Sequence, residues 1–180
     1  TLSKDNIFKK IAKNHRIKLF RGSEKDVVSR LSKSTKELKK NDIIVRANAD
    51  NPIFMPSVVD QEIKNFKKSN YDLYSPFYKN KQPFGYSFVI FKKSCVSKID
   101  LETKKSIYRE HVENYCFDNK SKFKLLLTKI KKKSKLYYPN LSVTMDTLKD
   151  LKRIRKYYSI IKTVSIVKQP KYLIDYIKSK

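Results

Sequence analysis

Two aspartates far apart in the chain, Asp50 and Asp146, have the residue type and the setting to hold a divalent cation. Asp50 lies in Asn48-Ala49-Asp50-Asn51-Pro52, directly after a β-branched run at residues 42–46, and Asp146 follows the apolar stretch at 141–145. Open α/β sheets bind ligands beyond the carboxyl ends of their strands, where both carboxylates would stand. Two carboxylates arriving from separate strand ends make a hard-oxygen site suited to Mg²⁺, which takes one or two protein carboxylates and leaves room for phosphates. Arg21-Gly22-Ser23, between an expected strand and an expected helix, adds a cation and backbone N–H donors for an anion. Together these residues point to phosphoryl or nucleotidyl chemistry. Plainer readings stand beside them: Ser23 as a helix cap, Asp50 as a turn residue and His111 as an ordinary helix histidine. Asp146 has no such alternative, because Thr147 already fills the neighbouring cap.

The elements that must position these residues follow from periodicity. Ile7, Phe8 and Ile11 have helical spacing, and residues 17–20 read as a short strand. Ser23-x-x-Asp26 reads as a capping-box-like helix start, with an inner stripe of Val27, Val28, Leu31 and Leu38 and with Lys36, Lys39 and Lys40 at the negative end. The run at 42–46 reads as a strand buried on both faces. Pro56 suits the first turn of a helix whose inner face is Val58, Val59, Ile63 and Phe66. Strands are expected at 71–75, 87–91, 124–130 and 141–145, with a turn at Pro83-Phe84-Gly85. A helix is expected over about 103–117. Thr147-x-x-Asp150 caps a helix with inner residues Leu148, Leu151, Ile154 and Tyr158. A final helix is expected over 171–177. The alternation implies a mostly parallel sheet with helices on both faces, in a single domain.

Composition narrows the partners. With 180 residues, of which 39% are hydrophobic, the chain can fill one core. No apolar run reaches the roughly 20 residues of a membrane span. Cys95 and Cys116 fit no Cys-x-x-Cys pattern and read as two reduced thiols, which points to the cytoplasm. The net charge of +26 comes almost entirely from lysine spread along the chain. Lysine lacks the bidentate fork of specific nucleic-acid readers, so compositional drift explains the excess better than nucleic-acid binding. The densest basic cluster, at 129–135, suits non-specific phosphate contact. No phosphate-binding, dinucleotide, nucleophile-elbow or zinc-ligand motif is present.

Four segments resemble one family. Phe20 to Val28 is similar to the "FRGSEDDVL" segment of the spore-coat-polysaccharide branch of cytidylyltransferases, relatives of the acylneuraminate and 3-deoxy-manno-octulosonate enzymes. The segment DIIVRANADNP, from Asp42 to Pro52, resembles that branch's "DVIVRITADCP". Residues 108–112 resemble its "YEREHVTPY", and 141–151 its "LRLTVDTPEDL". The resemblance spans nearly the whole chain and implies a three-layer α/β/α, nucleotide-diphospho-sugar-transferase-like (Rossmann-like) fold. It implies a reaction of CTP with a sugar or sugar acid to give a CMP-sugar and pyrophosphate, for cell-surface polysaccharide synthesis with Mg²⁺. Carried over residue by residue, Asp50 and Asp146 match the metal ligands. Arg21, Gly22 and Ser23 fall near the nucleotide, and Arg109, His111 and Tyr115 in the sugar-facing segment. No general base is nominated. A homodimer is compatible with the resemblance; a membrane or nucleic-acid partner is not expected.

Two departures qualify it. The family opens with a strand and an "ARMGSTRLPGK"-like loop that holds the CTP phosphates, whereas this sequence starts beyond it, at Thr1-Leu2-Ser3-Lys4. The chain is therefore expected to lack its first strand–loop–helix unit and to bind CTP weakly on its own. The family's "GLDVEVF" strand reads here as residues 85–91, with Ser87 and Val89 at the acidic positions. A basic nucleic-acid-binding α/β protein and a non-catalytic remnant of the family are the competing readings.

Overall fold

The run at 42–46 forms a strand as expected, but not one buried on both faces: it stands at one end of the sheet order and only Ile44 in it is buried. Ile43–Ala47 forms β1, and the computed structural model describes it together with residues 3–53, 56–76, 85–128, 137, 138, 140–165 and 168–179. A 3-10 turn, Ser3–Asn6, leads into α1 (Ile7–Asn14), and α2 spans Val27–Ser34. Beyond β1 come α3 (Pro56–Lys67), β2 (Leu73–Ser75), β3 (Phe88–Lys92) and α4 (Lys93–Glu102). Then follow α5 (Ser106–Glu110), α6 (Val112–Asp118), β4 (Leu125–Leu127), α7 (Leu148–Ile161) and α8 (Gln169–Lys178). No helix among the described residues is long and apolar enough to cross a membrane.

The sheet runs β1-β3-β2-β4. β2 pairs in parallel with β4, with Leu73 opposite Leu125 and Ser75 opposite Leu127. The sheet is mixed rather than mostly parallel.

Contacts group the residues into two compact units. The first contains Thr1–Ile44 and Phe91–Lys124; the second contains Val45–Ile90 and Leu125–Lys180. In the first unit, α2 packs on α4 and α5, and α4 packs on α6. Val28, Val96, Ile99 and Val112 are fully buried there. Cys95 and Cys116 are buried thiols whose sulfurs lie 3.6 Å apart, without a disulfide. In the second unit, the core consists of Ile53, Tyr86, Leu141, Val143, Ile154, Ile161, Leu173 and Ile174.

Several expectations change. Residues 17–20 form no strand: Ile17, Leu19 and Phe20 stay exposed, and a strand without a pairing partner has no ladder. The second helix starts at Val27 and not at Ser23, because the Asp26 carboxylate caps it by accepting from Ser29 N–H at 2.9 Å. It ends at Ser34, where the hydroxyls of Ser34 and Thr35 both donate to Leu31 C=O and compete with further helix. Leu38 is thus outside it. The helix expected over 103–117 is two helices broken at His111, whose backbone (φ −105°, ψ 82°) is non-helical. α4 went unrecognised in the sequence. Residues 141–145 contain only an isolated bridge at Ser142. α7 keeps its expected Thr147–Asp150 capping box, but its buried stripe is Ile154 and Ile161, with Leu148 and Tyr158 exposed. Pro83, Phe84 and the basic run at 129–135 lie outside the described residues.

Gly85 has φ +101°, and a Cβ there would sit 2.9 Å from Thr144 N and 3.0 Å from Val143 C. Only glycine adopts that conformation and tolerates that approach. Gly85→Ala should therefore lower unfolding free energy by about 2 kcal/mol in denaturant titration, and unchanged stability would contradict this account of the turn.

Candidate functional site

β1 delivers its chain into a tight turn, closed by Asn51 N–H donating to Asn48 C=O at 3.1 Å, with Asp50 inside it. On the other side, residues 141–145 approach α7. The two segments meet where Met145 N–H donates to Asp50 C=O at 2.8 Å. Asp146 is the next residue, so the structure brings the backbones of Asp50 and Asp146 to one place in the second unit. Both side chains are exposed, and among the described residues neither carboxylate accepts a hydrogen bond or joins an ion pair.

The surroundings are braced. Asp150 accepts from Asp146 N–H, Thr147 N–H and the Thr147 hydroxyl, closing the capping box. Those bonds, led by the one from the hydroxyl, hold its carboxyl below the ordinary range. Arg153 reaches back from α7 to Asp150 at 2.7 Å, to Thr144 C=O at 3.1 Å and to the Ser142 hydroxyl at 3.3 Å. Beside Asp50, the Asn51 side-chain oxygen is buried and has no hydrogen-bond partner. Such an orphaned acceptor is costly and uncommon in a folded chain. The donors here are oxygens only, a set that suits a hard cation such as Mg²⁺. No group of three or more His, Cys, Asp or Glu able to hold a metal occurs among the described residues.

The remaining candidates belong to the first unit. Arg21 is exposed and donates to the Asn6 side chain at 2.8 Å. Gly22 has little room, since a Cβ would meet Arg30 at 3.0 Å and Phe20 at 3.1 Å. The Ser23 hydroxyl accepts from Asp26 N–H at 3.0 Å, shaping the turn before α2. Arg109 is 9% exposed and fully engaged. Its guanidinium grips Asp26 through two bonds of 2.8 Å, pairs with Asp100 at 2.7 Å and donates to the carbonyls of Asp100 and Thr103. Burial would raise the Asp26 carboxyl, but the bonds from Arg109 and Ser29 outweigh it and hold the group below its ordinary value. His111 is exposed at the junction of α5 and α6. Tyr115 is buried and donates to Glu102 at 2.8 Å; with Tyr108 and Thr103 it lines a cleft of about 610 Å³. Val89 is 8% exposed within β3.

Sequence reasoning missed Asp100 and Arg153 and read Asp26 as the acidic member of a capping-box-like start, not as the partner of Arg109. No local signal marks the Asp26–Arg109 pair, whose members are 83 residues apart. Asp150 and Arg153, three apart on one helix, carried a readable i,i+3 signal.

Comparisons with known proteins extend the geometry. A family model described as "Cytidylyltransferase" matches residues 2–179. The uncharacterized protein MJ1063 of Methanocaldococcus jannaschii is 30% identical over 160 residues, covering 87% of this chain and 63% of that protein. The chain thus spans less than two thirds of that relative's length. A solved cytidylyltransferase from Leptospira borgpetersenii serovar Hardjo-bovis (strain JB197) shares the fold with a TM-score of 0.84. The match has 24% identity and covers 99% of this chain and 73% of that one.

The Asp26–Arg109 pair has a pH signature. Because the Asp26 carboxyl lies below its ordinary value of 3.8, its contribution is fully present above that pH and fades as pH falls through the folded value. Asp26→Ala should cost about 2 kcal/mol at pH 7, combining a lost cap with a lost partner for a buried guanidinium. The gap between parent and variant should shrink below pH about 4. A gap independent of pH in denaturant melts would contradict this account, because the cap and the ion pair both use the ionised carboxylate.

Proposed function

Because this chain belongs to the cytidylyltransferase family, we propose that it serves CTP-dependent transfer of a cytidylyl group to a sugar or sugar acid, giving a CMP-sugar and pyrophosphate. The observation that supports this reading is the backbone hydrogen bond from Met145 N–H to Asp50 C=O, which brings the backbones of Asp50 and Asp146 together, with no hydrogen bond or ion pair to either carboxylate among the described residues. Asp150 and Arg153 fasten the approach to α7 beside them. Free carboxylates on a fastened frame are what a cation site requires.

In this proposal Asp50 and Asp146 hold Mg²⁺. The ion supplies charge neutralisation on the departing pyrophosphate when bound. A sugar hydroxyl oxygen bonds to the α-phosphorus of CTP, the bond from that phosphorus to the bridging oxygen breaks, and the hydroxyl proton leaves to solvent. The protein's own task is alignment of the two reactants, which can account for several kcal/mol of barrier. Arg21, Gly22 and Ser23 are proposed for the nucleotide. His111 and Tyr115 are proposed for the sugar, with Arg109 as a positioning residue, since its donors are spent on Asp26, Asp100 and Thr103. We place the reaction in the cytoplasm, in cell-surface polysaccharide synthesis, with a homodimer as the working form.

The test uses the complete protein. Asp146→Asn and Asp50→Asn should each reduce pyrophosphate release at least about a hundredfold, with unfolding free energy within about 0.5 kcal/mol of the parent because both positions are exposed. Mn²⁺ binding followed by electron paramagnetic resonance should weaken in both variants. Turnover and metal binding at parental levels in either variant would remove the assignment.

A further inference from the structure

The first unit carries a second charged feature, independent of the carboxylate pair. A groove of about 710 Å³ is lined from one side by Ser32, Lys33, Lys36, Leu38 and Lys40 and from the other by α4. Lys33, Lys36, Lys40, Lys93 and Lys98 face it, against one carboxylate, Glu102. Glu102 is already spent: it accepts from Tyr115 at 2.8 Å and pairs with Lys122 at 3.0 Å, while Lys98 stands 4.0 Å away. Lys98 is itself drawn toward Lys122 C=O and the face of Phe123. Lys36 pairs with its neighbour Glu37 at 3.5 Å, which leaves Lys33, Lys40 and Lys93 without a carboxylate partner among the described residues.

Lys93 is the unusual member. It is 8% exposed, yet its ammonium makes one contact among the described residues, to Ser32 C=O at 3.4 Å. That carbonyl lies in the last turn of α2, a favourable place for a cation. One long contact still leaves two of the three ammonium donors unused at a buried position. Burying a charge without a counter-charge is costly, and Lys93 joins no carboxylate. The charges of α4 also run against its dipole. Lys92 caps it, Lys93 opens it, its first turn has no acidic residue and its last has no basic one. The first two N–H groups are taken by Asp42 C=O and Lys40 C=O, so the attraction for an anion rests on side chains and not on the helix end.

We propose that this groove is a binding site for a multiply charged phosphate anion, a free pyrophosphate or polyphosphate or the phosphate tail of a nucleotide. The lysine ammonium is a compact point charge suited to phosphate oxygens, and no arginine fork is present to favour a planar carboxylate. The hydroxyls of Ser32, Ser94 and Ser97 add neutral donors along the wall. A bound anion gives Lys93 the counter-charge it lacks.

Tripolyphosphate titration by calorimetry at physiological salt tests the site. Lys93→Met should raise the dissociation constant about tenfold or more, and Lys40→Met about threefold. Lys40 is exposed, so its variant keeps the test standing if Lys93→Met fails to fold. Lys9→Met and Lys13→Met, which remove the same charge from exposed positions on α1, should change binding by less than about twofold. Equal weakening in all four variants, or no binding by the parent, would mean diffuse attraction to a +26 surface and overturn the proposal. CTP that competes with tripolyphosphate, and weakens in the same two groove variants, identifies a nucleotide tail as the source. Binding of the inorganic anion alone identifies the free phosphate.

Discussion

One backbone hydrogen bond, from Met145 N–H to Asp50 C=O, fixes the chemistry available to the second unit. It fastens the turn after β1 to the approach of α7, although 95 residues separate the two in sequence. Nothing in either segment would hold that register alone. Gly85 permits a close approach to Val143 and Thr144, and Arg153 ties Ser142 and Thr144 to Asp150. The turn is thereby held from three directions, while the carboxylates of Asp50 and Asp146 stay open to solvent.

Scarcity of acid gives that openness meaning. The chain has 17 acidic residues against 43 basic ones, so a carboxylate left unpaired passes over an abundant supply of cations. Asp26 and Asp100 are consumed by Arg109, Asp150 by its cap and Arg153, and Glu102 by Tyr115 and Lys122. These commitments hold helices in place. Arg109 joins α5 to the start of α2 and to α4, acting at several kilocalories' worth of burial through a single side chain. The same shortage of acid leaves Lys93 buried beside carbonyl oxygen alone, and the phosphate-binding inference starts from that imbalance.

The family relationship agrees with this division between frame and site. A cytidylyltransferase model matches nearly the whole chain, and the Leptospira enzyme's fold covers 99% of it. At 24% identity a fold persists through patterns of burial and turns and not through particular surface residues.

By itself the sequence determined the features that depend on neighbours along the chain. The β-branched run of β1, Pro56 at the head of α3 and the Thr147–Asp150 capping box were all readable, because propensity and capping act within about four residues. Asp50 was readable as a residue type just beyond a strand, whereas the strand expected before Asp146 is only an isolated bridge at Ser142; the roles of both rest on resemblance. Only the tertiary structure decided which long-range partners those neighbours would meet. Residues 17–20 have a strand's composition but no partner strand, and His111 breaks a pattern whose periodicity runs straight through it. α4 escaped notice because its charges oppose its dipole and its buried set includes a lysine. Arg109 was given to a ligand until Asp26, 83 residues away, claimed it. Such pairings rest on packing and on the exclusion of water between segments distant in the chain, and neither leaves a mark in local spacing.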